Sequence, residues 1–570
     1  MKQSVTVLGV HDGHGAGAAL IRDGRVVAAI QEERLTNVKN CSGTPTLAIR
    51  EVFRIASMDP SEVDVIAIGC LLRVSAPIKE EESLHVQVFK KAAPLLSSHA
   101  ATNLLVKTFH RFRRTEELTS VLAQLGIEEK QIVFVEHHSS HAACAYYQRP
   151  WDDETLVLTL DGAGDGISAT VSVGRGLSIE RVASTTYYHS PGNNLYSEIT
   201  GYLGLKRWEH EYKVMGMAPY GRAEYCLDQM RQIVRINPRK PLEFQNTLGA
   251  YSTEVQRKLK RLLDGQRFDN ISAACQQHFE DLVTQWVRNA IQATGLRKIA
   301  CAGGMFLNVK ANKLIREMPE VEDAFFYPAA DDGGTPVGGA LEAYYRYCEQ
   351  EAIAPQRFPL TDMYFGRQFT NDQIEEALIT SGWRERAELV DEIEDAVAQL
   401  LVQGKIIARF SGRDEWGPRA LGNRSIMADP RDLRIIRRIN FAIKQRDFWM
   451  PFAPSILEDS MDAYLENARP ARYMIEAFDT TGQAEDLIAG LHPFDGTARP
   501  QTVNGWDPGW QRIIEGFRER TGVGGILNTS FNLHGYPIVG SPEVALWTLE
   551  NSELDGLAMG NWLVLRERDL

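Results

Sequence analysis

The sequence predicts an α/β fold whose amino-terminal domain is internally duplicated. The first observation is a pair of glycine-rich motifs, VTVLGVHDGHGAGAALIRDGRVVAAIQEER and TLVLTLDGAGDGISATVSVGRGLSIERV. Each motif is typical of strand, turn, strand, turn, strand, because apolar runs alternate with glycine-containing turns. The second observation is two later strand–glycine–helix units, RKIACAGGMFLNVKANKLIREM and AFFYPAADDGGTPVGGALEAYYRY. Two matching hairpin motifs in one domain indicate a duplicated architecture.

The length of 570 residues exceeds what one hydrophobic core usually serves, so we expect at least two domains. The stretch EAIAPQRFPLTD, with Pro355 and Pro359, is the best linker candidate. It predicts an amino-terminal domain of residues 1–354 and a carboxy-terminal domain of residues 355–570. The duplicated actin, sugar-kinase and heat-shock-ATPase fold is built from such hairpin units, so we expect an actin-like fold in residues 1–354. A helical insertion is expected at about residues 223–295.

Composition excludes several classes of protein. The net charge of −13 argues against broad nucleic-acid binding. No signal-peptide pattern is present, and no apolar run reaches the roughly 18 residues that span a bilayer. The seven cysteines are odd in number and contain no CxxC motif, which favours a reducing compartment. We therefore expect a cytoplasmic enzyme with neither a nucleic-acid nor a membrane partner.

Two histidines, His137 and His141, lie four residues apart in QIVFVEHHSSHAACAYYQ, where a strand-like run meets helix formers. On a helix both imidazoles project from one face, a spacing that can hold one metal ion. Buried or surface histidines also show this spacing, so both interpretations stay open. Asp161 and Asp332 follow later strands and offer carboxylates, and Asp331 is an equal candidate on local pattern. Two histidines with carboxylates suit a divalent ion of intermediate hardness.

Three further motifs supply candidate residues in the amino-terminal domain. His14, in the first hairpin turn, is a candidate general base or a structural or solvated histidine. Lys213, in RWEHEYKVMGMAPYGR, is a candidate contact for a phosphate or an acceptor, or a surface lysine. Gly303 and Gly304 lie between a strand and the helix that carries Asn308, where backbone N–H groups can hold an anion.

The carboxy-terminal domain begins with a basic region. Residues 409–446 contain ten Lys or Arg against four Asp or Glu, a local charge of +6. A solvated basic face is one interpretation. Because the basic residues alternate with turn residues, we favour a phosphate pocket built from several loops. Arg499, Asn528 and Ser530, in DGTARPQTV and LNTSFNLHGYPIV, are donors suited to a carbonyl phosphate, or members of a polar loop that caps the next helix.

Six motifs together resemble the O-carbamoyltransferase family of the nodulation U and cephalosporin carbamoyltransferase type. They are GRDEWGPRALGNRSIMADPR, IKQRDFWMPFAPS, DGTARPQTV, LNTSFNLHGYPIV, EYKVMGMAPYG and HHSSHAACA. The resemblance runs over essentially the whole chain in one order, and the GPRALGNRS motif is highly specific to the family.

The resemblance implies an actin-fold transfer domain in residues 1–354 and a YrdC-like domain in residues 355–570. In this family ATP and carbamoyl phosphate give carbamoyl adenylate in the YrdC-like domain. The carbamoyl group then passes to a hydroxyl of a small molecule, such as an antibiotic or other natural product, in the actin-like domain. The implied cofactor there is Fe²⁺ or another divalent ion, with Mg²⁺ accompanying ATP, and the candidate assembly is a homodimer.

The resemblance also assigns roles residue by residue. It implies metal ligands at His137, His141, Asp161 and Asp332, and the role of base for His14. Lys213, in the EYKVMGMAPYG motif, is a further candidate catalytic residue. Gly303, Gly304 and Asn308 match the loop that holds the adenylate. The implied carbamoyl phosphate and ATP contacts are Arg419, Lys444, Arg446, Arg499, Asn528 and Ser530. The chain departs from the family pattern at Gly17, where a hydroxyl is common, at Met450 in place of arginine, and at Tyr536 in place of glutamate.

Two other functional classes remain as alternatives. An actin-fold small-molecule kinase would explain the glycine turns, but it would not explain the basic region of the carboxy-terminal domain. A non-catalytic nucleotide-binding scaffold would show no turnover and need no metal. A kinase releases ADP, whereas carbamoyl adenylate formation releases pyrophosphate, so product analysis discriminates between these functions.

Overall fold

The chain folds into two units. The computed structural model describes residues 4–73, 105–127, 130–251, 253–444 and 446–566. Unit 1 comprises Met1–Glu32 and Cys41–Thr361, and unit 2 comprises Glu33–Asn40 and Asp362–Leu570. Unit 2 therefore includes a short segment that precedes most of unit 1 in the sequence.

Two five-stranded sheets with the same topology form the core of unit 1. The strands are β1 (Thr6–His11), β2 (Gly17–Arg22), β3 (Arg25–Gln31), β4 (Val65–Ile68), β5 (Gln131–Phe134), β6 (Thr155–Gly164), β7 (Ile167–Arg175), β8 (Ser178–Thr186), β9 (Val234–Asn237), β10 (Lys240–Asn246), β11 (Lys298–Ala302) and β12 (Asp323–Phe326). The sheet orders are β3–β2–β1–β4–β5 and β8–β7–β6–β11–β12. In each, three antiparallel strands continue into two parallel ones. The predicted duplication is thus present in both strand order and strand direction.

Helices cover these sheets and carry the candidate site. The first helical turn of the chain, α1 (Glu33–Thr36), belongs to unit 2. The helices of unit 1 are α2 (Thr46–Ala56), α3 (Leu105–Ala123), α4 (His137–Tyr147), α5 (Glu198–Tyr202), α6 (Glu211–Met217), α7 (Leu227–Met230), α8 (Thr253–Leu262), α9 (Phe268–Thr294), α10 (Val309–Arg316) and α11 (Thr335–Gln350). The segment expected to be a helical insertion, 223–295, contains α7, α8 and α9 but also the β9–β10 hairpin, which the sequence reasoning did not include.

Helix α11 packs closely on α4 and on the first sheet. The approach requires glycine, because a Cβ on Gly338 would lie 1.9 Å from the carbonyl oxygen of Ser140. A Cβ on Gly9 in β1 would similarly lie 2.0 Å from the carbonyl oxygen of Pro336. The start of α11 is therefore held against α4, which brings the preceding Asp332 turn next to the His137 end of α4.

Unit 2 is built on one mixed sheet. Its strands are β13 (Ala387–Leu389), β14 (Ile407–Phe410), β15 (Arg424–Ala428), β16 (Ala453–Leu457), β17 (Gln501–Val503), β18 (Gly525–Ser530), β19 (Gly556–Met559) and β20 (Trp562–Leu565), in the order β13–β20–β19–β14–β15–β18–β16–β17. The further helices of this unit are α12 (Asn371–Thr380), α13 (Ile393–Val402), α14 (Arg434–Ile439), α15 (Met461–Tyr464), α16 (Pro508–Thr521) and α17 (Pro542–Glu550).

Both faces of this sheet carry a hydrophobic core, as the alternation of side chains along β14 demonstrates. Ala408 and Phe410 join one apolar cluster, whereas Ile407 between them joins the other. The prediction of a mixed α/β protein is confirmed. In the part of the chain that the structure describes, no helix combines the length and the apolarity needed to cross a membrane.

Candidate functional site

The strand-to-helix passage at His137 is the start of the candidate site in unit 1. Strand β5 ends at Phe134 and α4 begins at His137, as the residue pattern predicts. The Glu136 carboxylate caps the helix by accepting from the backbone N–H groups of His138 at 3.2 Å and Ser139 at 2.9 Å. The cap fixes the first turn, so the two histidines four residues apart project from the same face.

Four side chains of unit 1 converge on one point. His137, His141, Asp161 and Asp332 each offer one ligand atom, and all these atoms lie within 4.8 Å of one another. His137 Nε2 lies 3.0 Å from His141 Nε2, 3.1 Å from Asp161 Oδ2 and 3.3 Å from Asp332 Oδ1. His141 Nε2 lies 3.8 and 3.7 Å from the same two oxygens. The four residues predicted as metal ligands are therefore brought together by the fold.

The neighbouring candidates do not join this cluster. Of the two consecutive aspartates, Asp332 is the one that belongs to it. His138 turns away, and its Nδ1 lies 2.7 Å from Thr159 Oγ1, which in turn lies 2.6 Å from Thr170 Oγ1. This buried contact ties α4 to β6 and β7, a structural role consistent with leaving His138 out of the predicted ligand set.

The two histidines and the two aspartates of this cluster shift one another's pKa values strongly. Burial alone would lower the pKa of His137, but the carboxylates of Asp332 and Asp161 outweigh burial and raise that pKa well above its usual range. The pKa of His141 is likewise raised, against burial, by the same two carboxylates. Burial would raise the pKa of Asp161 and Asp332, yet the two imidazoles hold both carboxyl groups well below their usual range. Positive charge is thus strongly favoured at this point.

The donor set fits a divalent metal ion. Metal–nitrogen and metal–oxygen bonds are about 2.1 Å long, so adjacent ligands around one ion are separated by roughly 3.0–3.4 Å. The separations of 3.0, 3.1 and 3.3 Å around His137 Nε2 match that range. Two imidazoles and two carboxylates suit ions such as Fe²⁺, Mn²⁺ or Zn²⁺. The fit supports a metal site without selecting the metal.

Asp165, which sequence reasoning missed, holds the cluster in place. Its carboxylate accepts from the backbone N–H of His137 at 2.7 Å and from those of Leu71 and Leu72 at 2.8 and 2.7 Å. The preceding Gly164 lies against the imidazole of His137, where a Cβ would come within 2.0 Å of the ring. The signal was present in LDGAGDG, where a second aspartate follows the predicted ligand in the same turn.

His11 is a second residue that the motif analysis missed. It is buried, and its ring centroid lies 6.4 Å from that of His137. Its Nε2 lies 3.2 Å from the carbonyl oxygen of His14, so Nε2–H is the donor. Burial lowers the pKa of His11 to about 4, and this imidazole is therefore neutral near pH 7. The predicted base His14 is half-buried beside it, and its catalytic role stays a prediction.

The other predicted residues of unit 1 lie on separate elements. Gly303, with a φ of 107°, begins the turn after β11, and the Gly304 N–H lies 3.3 Å from Asp161 Oδ1. Asn308 caps α10 through Ala311 N–H at 3.1 Å and exchanges two hydrogen bonds with Gln276. Its amide is thus engaged within the fold. Lys213 lies on α6, and its role stays a prediction.

In unit 2 the predicted basic residues gather around the GPRALGN loop and β18. Burial and the charges of Arg419 and Arg446 together hold the pKa of Arg499 well below its usual value. The three guanidinium groups are therefore close enough to repel one another. Lys444 is buried, and its ammonium contacts the backbone oxygen and the Oγ of Ser530, the latter at 3.1 Å. Like charges held together in a buried setting favour binding of an anion.

The GPRALGN loop has an internal anchor that sequence reasoning also missed. Glu415 Oε1 accepts from the backbone N–H groups of Leu421, Asn423 and Arg424 at 2.9, 2.8 and 3.1 Å. Asn528 braces the same loop, because its amide nitrogen lies 3.2 Å from the carbonyl oxygen of Ala420. The departures from the family pattern lie elsewhere: Met450 is buried, and Tyr536 is partly exposed against Trp547.

Comparison with known proteins identifies the family. The model of the carbamoyltransferase amino terminus matches residues 6–341, and that of the carbamoyltransferase carboxy terminus matches residues 398–566. Nodulation protein NolNO of Sinorhizobium fredii is 33% identical over 560 residues, 97% of this chain and 79% of that protein. Nodulation protein NolO of Bradyrhizobium diazoefficiens is 33% identical over 75% of this chain and 78% of its own length. Nodulation protein U of Sinorhizobium fredii is 29% identical over 47% of this chain and 46% of its own length.

The chain belongs to the carbamoyltransferase family. The amino-terminal match covers most of unit 1 together with the Glu33–Asn40 segment of unit 2, and the carboxy-terminal match lies within unit 2, so both units carry the family's features. It is accordingly an enzyme of carbamoyl transfer, and the resemblance expected from the six sequence motifs is confirmed.

Proposed function

We propose that this enzyme makes carbamoyl adenylate in unit 2 and transfers its carbamoyl group to a hydroxyl in unit 1. Unit 1 has an actin-like fold in this proposal, supported by its two sheets of identical order and direction. Unit 2 is YrdC-like, which is supported by its mixed sheet with a cationic cluster at one loop. The acceptor is a small molecule, such as an antibiotic or another natural product, and the enzyme acts in the cytoplasm.

The first reaction consumes two phosphorylated substrates, carbamoyl phosphate and ATP. Water releases the phosphate of carbamoyl phosphate as inorganic phosphate and leaves carbamate. A carbamate oxygen then attacks the α-phosphorus of ATP, which accompanies Mg²⁺, and pyrophosphate departs. Arg419, Arg446 and Arg499 neutralise the phosphate charges, a task for which guanidinium groups are suited. One inorganic phosphate and one pyrophosphate are thus expected for each carbamoyl adenylate.

In the second reaction the acceptor oxygen attacks the carbamoyl carbon. The bond from this carbon to the adenylate oxygen breaks, and AMP leaves. His14 takes the proton of the acceptor hydroxyl, and His11 holds the backbone of His14 through its Nε2–H. The Gly303–Gly304 turn presents backbone N–H groups beside Asp161. A divalent ion such as Fe²⁺, when held by His137, His141, Asp161 and Asp332, would neutralise charge on the departing phosphate.

One observation is the main support for this proposal: the residues suited to adenylate formation and those suited to carbamoyl transfer lie in different units. The four-ligand cluster lies in unit 1, whereas the guanidinium and ammonium groups that suit two phosphorylated substrates lie in unit 2. A kinase of the actin type would have no use for the second set.

Product analysis provides the first test. The purified enzyme should release pyrophosphate from ATP only when carbamoyl phosphate is present, together with an equal amount of inorganic phosphate. ADP formation that follows the acceptor and ignores carbamoyl phosphate would instead identify a kinase. Absence of any nucleotide turnover with a panel of hydroxyl acceptors would favour a scaffold.

The double variant His137→Ala/His141→Ala tests the division between the units. It should lose its metal and its transfer to the acceptor, because two of the four ligands are gone, while pyrophosphate release continues at a rate within about threefold of the wild type. A folded variant that loses both reactions would argue against separate sites. His189→Ala, outside the cluster, is the matched control.

A further inference from the structure

Arg34 is a buried arginine of unit 2 whose role the proposed function does not explain. It lies on α1, in the Glu33–Asn40 segment that belongs to unit 2 although it directly follows β3 in the chain. Arg34 is only 5% exposed, and its Nη2 donates to the carbonyl oxygen of Gly417 at 3.0 Å. Gly417 precedes Arg419 by two residues in the GPRALGN loop. Arg34 therefore braces the loop that carries a proposed phosphate ligand.

The positive charge of Arg34 is not balanced within the described part of unit 2. Its Nε and Nη1 are buried, and neither donates a hydrogen bond to any described residue. The acceptor that its guanidinium does contact, the Gly417 oxygen, is a neutral carbonyl. A buried guanidinium without a carboxylate partner is costly, because desolvation of the charge is not offset. A ligand that brings negative charge would remove this cost.

The residues around Arg34 increase the imbalance. Arg367 donates to the backbone oxygen of Arg34 at 3.4 Å and to that of Gly540. Among the carboxylates here, Asp414 contacts Arg424 Nε at 2.6 Å, and Glu415 Oε1 is engaged by loop amides. Burial lowers the pKa of Arg424, the carboxylates of Asp414 and Glu415 oppose this shift, and the charges of Arg34 and Arg367 add to it. Among these five side chains, Arg34, Arg367, Arg424, Asp414 and Glu415, the arginines exceed the carboxylates by one.

Resting on the proposed adenylate-forming function, we propose that Arg34 is a positioning residue of the phosphate site in unit 2. It holds the Gly417 carbonyl, which orients the loop that carries Arg419, and its unbalanced charge strengthens the binding of a phosphate anion. The ligand class is a phosphorylated substrate, either carbamoyl phosphate or the triphosphate of ATP. Burial, Arg446 and Lys39 all lower the pKa of Lys444, and Lys39 belongs to the same 33–40 segment as Arg34. Residues 33–40 therefore add positive charge at two positions near the basic residues of unit 2.

The test compares Arg34→Gln, which removes the charge, with Arg34→Lys, which keeps it. Arg54→Gln is the control, because Arg54 is 78% exposed on α2. In the full-length enzyme, KM for carbamoyl phosphate and for ATP, kcat for pyrophosphate release, and Tm with and without each substrate are measured. We expect Arg34→Gln to raise one KM about tenfold or more with a smaller change in kcat, and to reduce the Tm increase that the same substrate produces. Arg34→Lys should restore part of both, and the affected KM identifies the substrate.

A purely structural arginine would behave differently. Arg34→Gln would then lower the Tm of the ligand-free enzyme and leave both KM values and both ligand-induced Tm increases unchanged, which would overturn the proposal. If wild-type enzyme released no pyrophosphate, the proposed function would fail, but the Tm increase with carbamoyl phosphate or ATP would still separate Arg34→Gln from the wild type. If Arg34→Gln does not fold, Arg34→Lys measured against Arg54→Gln carries the same comparison.

Discussion

At the scale of single residues, buried carboxylates organise this enzyme by accepting backbone hydrogen bonds. Asp165 binds three amides from two segments, one of which is the start of α4. It has a left-handed φ of 52°, a conformation that aspartate tolerates better than most residues. Such partners of metal ligands commonly change metal affinity by about 10- to 100-fold when they are replaced. Asp165 therefore positions the backbone of His137, one of the four candidate ligands.

Asp165→Asn should weaken metal binding without removing any of the four ligands. An asparagine has one acceptor oxygen, and its NH₂ group would face a backbone N–H, so the free energy of unfolding should fall by about 1–3 kcal/mol. Metal content after dialysis and urea denaturation measure the two effects. Asp228→Asn, on an exposed aspartate of α7, is the matched control. Full metal retention by a folded Asp165→Asn enzyme would contradict the role assigned to this residue.

At the scale of elements, loops held by buried side chains carry the candidate site residues. The turn before α11 carries Asp332 and is placed by the close α11–α4 packing at Gly338. Two buried side chains hold the GPRALGN loop. Glu415 accepts from three backbone N–H groups of residues 421–424, and Arg34 donates to the carbonyl oxygen of Gly417. Buried acceptors that satisfy several amides make a loop rigid, because loss of the acceptor leaves unpaired N–H groups.

Glu415→Gln should therefore disable unit 2 and spare unit 1. The substitution replaces an ionised acceptor of three amides by a neutral one, and we expect a loss of about 1–3 kcal/mol in stability and a rise in KM for carbamoyl phosphate or ATP. Metal content should match that of the wild type. Pyrophosphate release and metal analysis, with Glu388→Gln on an exposed glutamate of β13 as control, check the prediction. Unchanged adenylate formation would show that the loop does not depend on this anchor.

At the scale of the whole molecule, two units with different cores present candidate sites of opposite charge. Unit 1 has a duplicated pair of sheets and an anionic cluster suited to a cation, whereas unit 2 has a mixed sheet and a cationic cluster suited to anions. This opposite electrostatic character is the one that the proposed two-step reaction requires, because each proposed step must neutralise charge of a different sign.

Removal of the metal should separate the two reactions. Enzyme that is dialysed against a chelator, and then supplied with Mg²⁺ for ATP, is expected to release pyrophosphate normally and to lose at least about 100-fold of its transfer to the acceptor. Adding back Fe²⁺ should restore the transfer. Equal loss of both activities after chelation, in protein of unchanged Tm, would place the metal requirement in adenylate formation instead.

Local sequence patterns were sufficient for much of the fold. The hairpins of β1–β3 and β6–β8 follow from alternating apolar residues and glycine turns, and α4 begins where the strand-like run ends. The β9–β10 hairpin was missed, because it lies between helices and its short strands carry no strong alternation. The four candidate metal ligands were also accessible, since HxxxH spacing and strand-end aspartates are local features, although Asp331 and Asp332 could not be separated by pattern.

What the sequence determined by itself was the type of chemistry at each position: imidazoles and carboxylates in one domain, and guanidinium groups among turn residues in the other. Only the tertiary structure decided which groups meet. Asp165 accepts from the backbone N–H groups of His137, Leu71 and Leu72, which lie between 28 and 94 positions away, and Arg34 reaches Gly417 across 383 positions of sequence. Such contacts depend on long-range packing, and packing is decided by the whole chain because each buried polar group must find its partner in three dimensions.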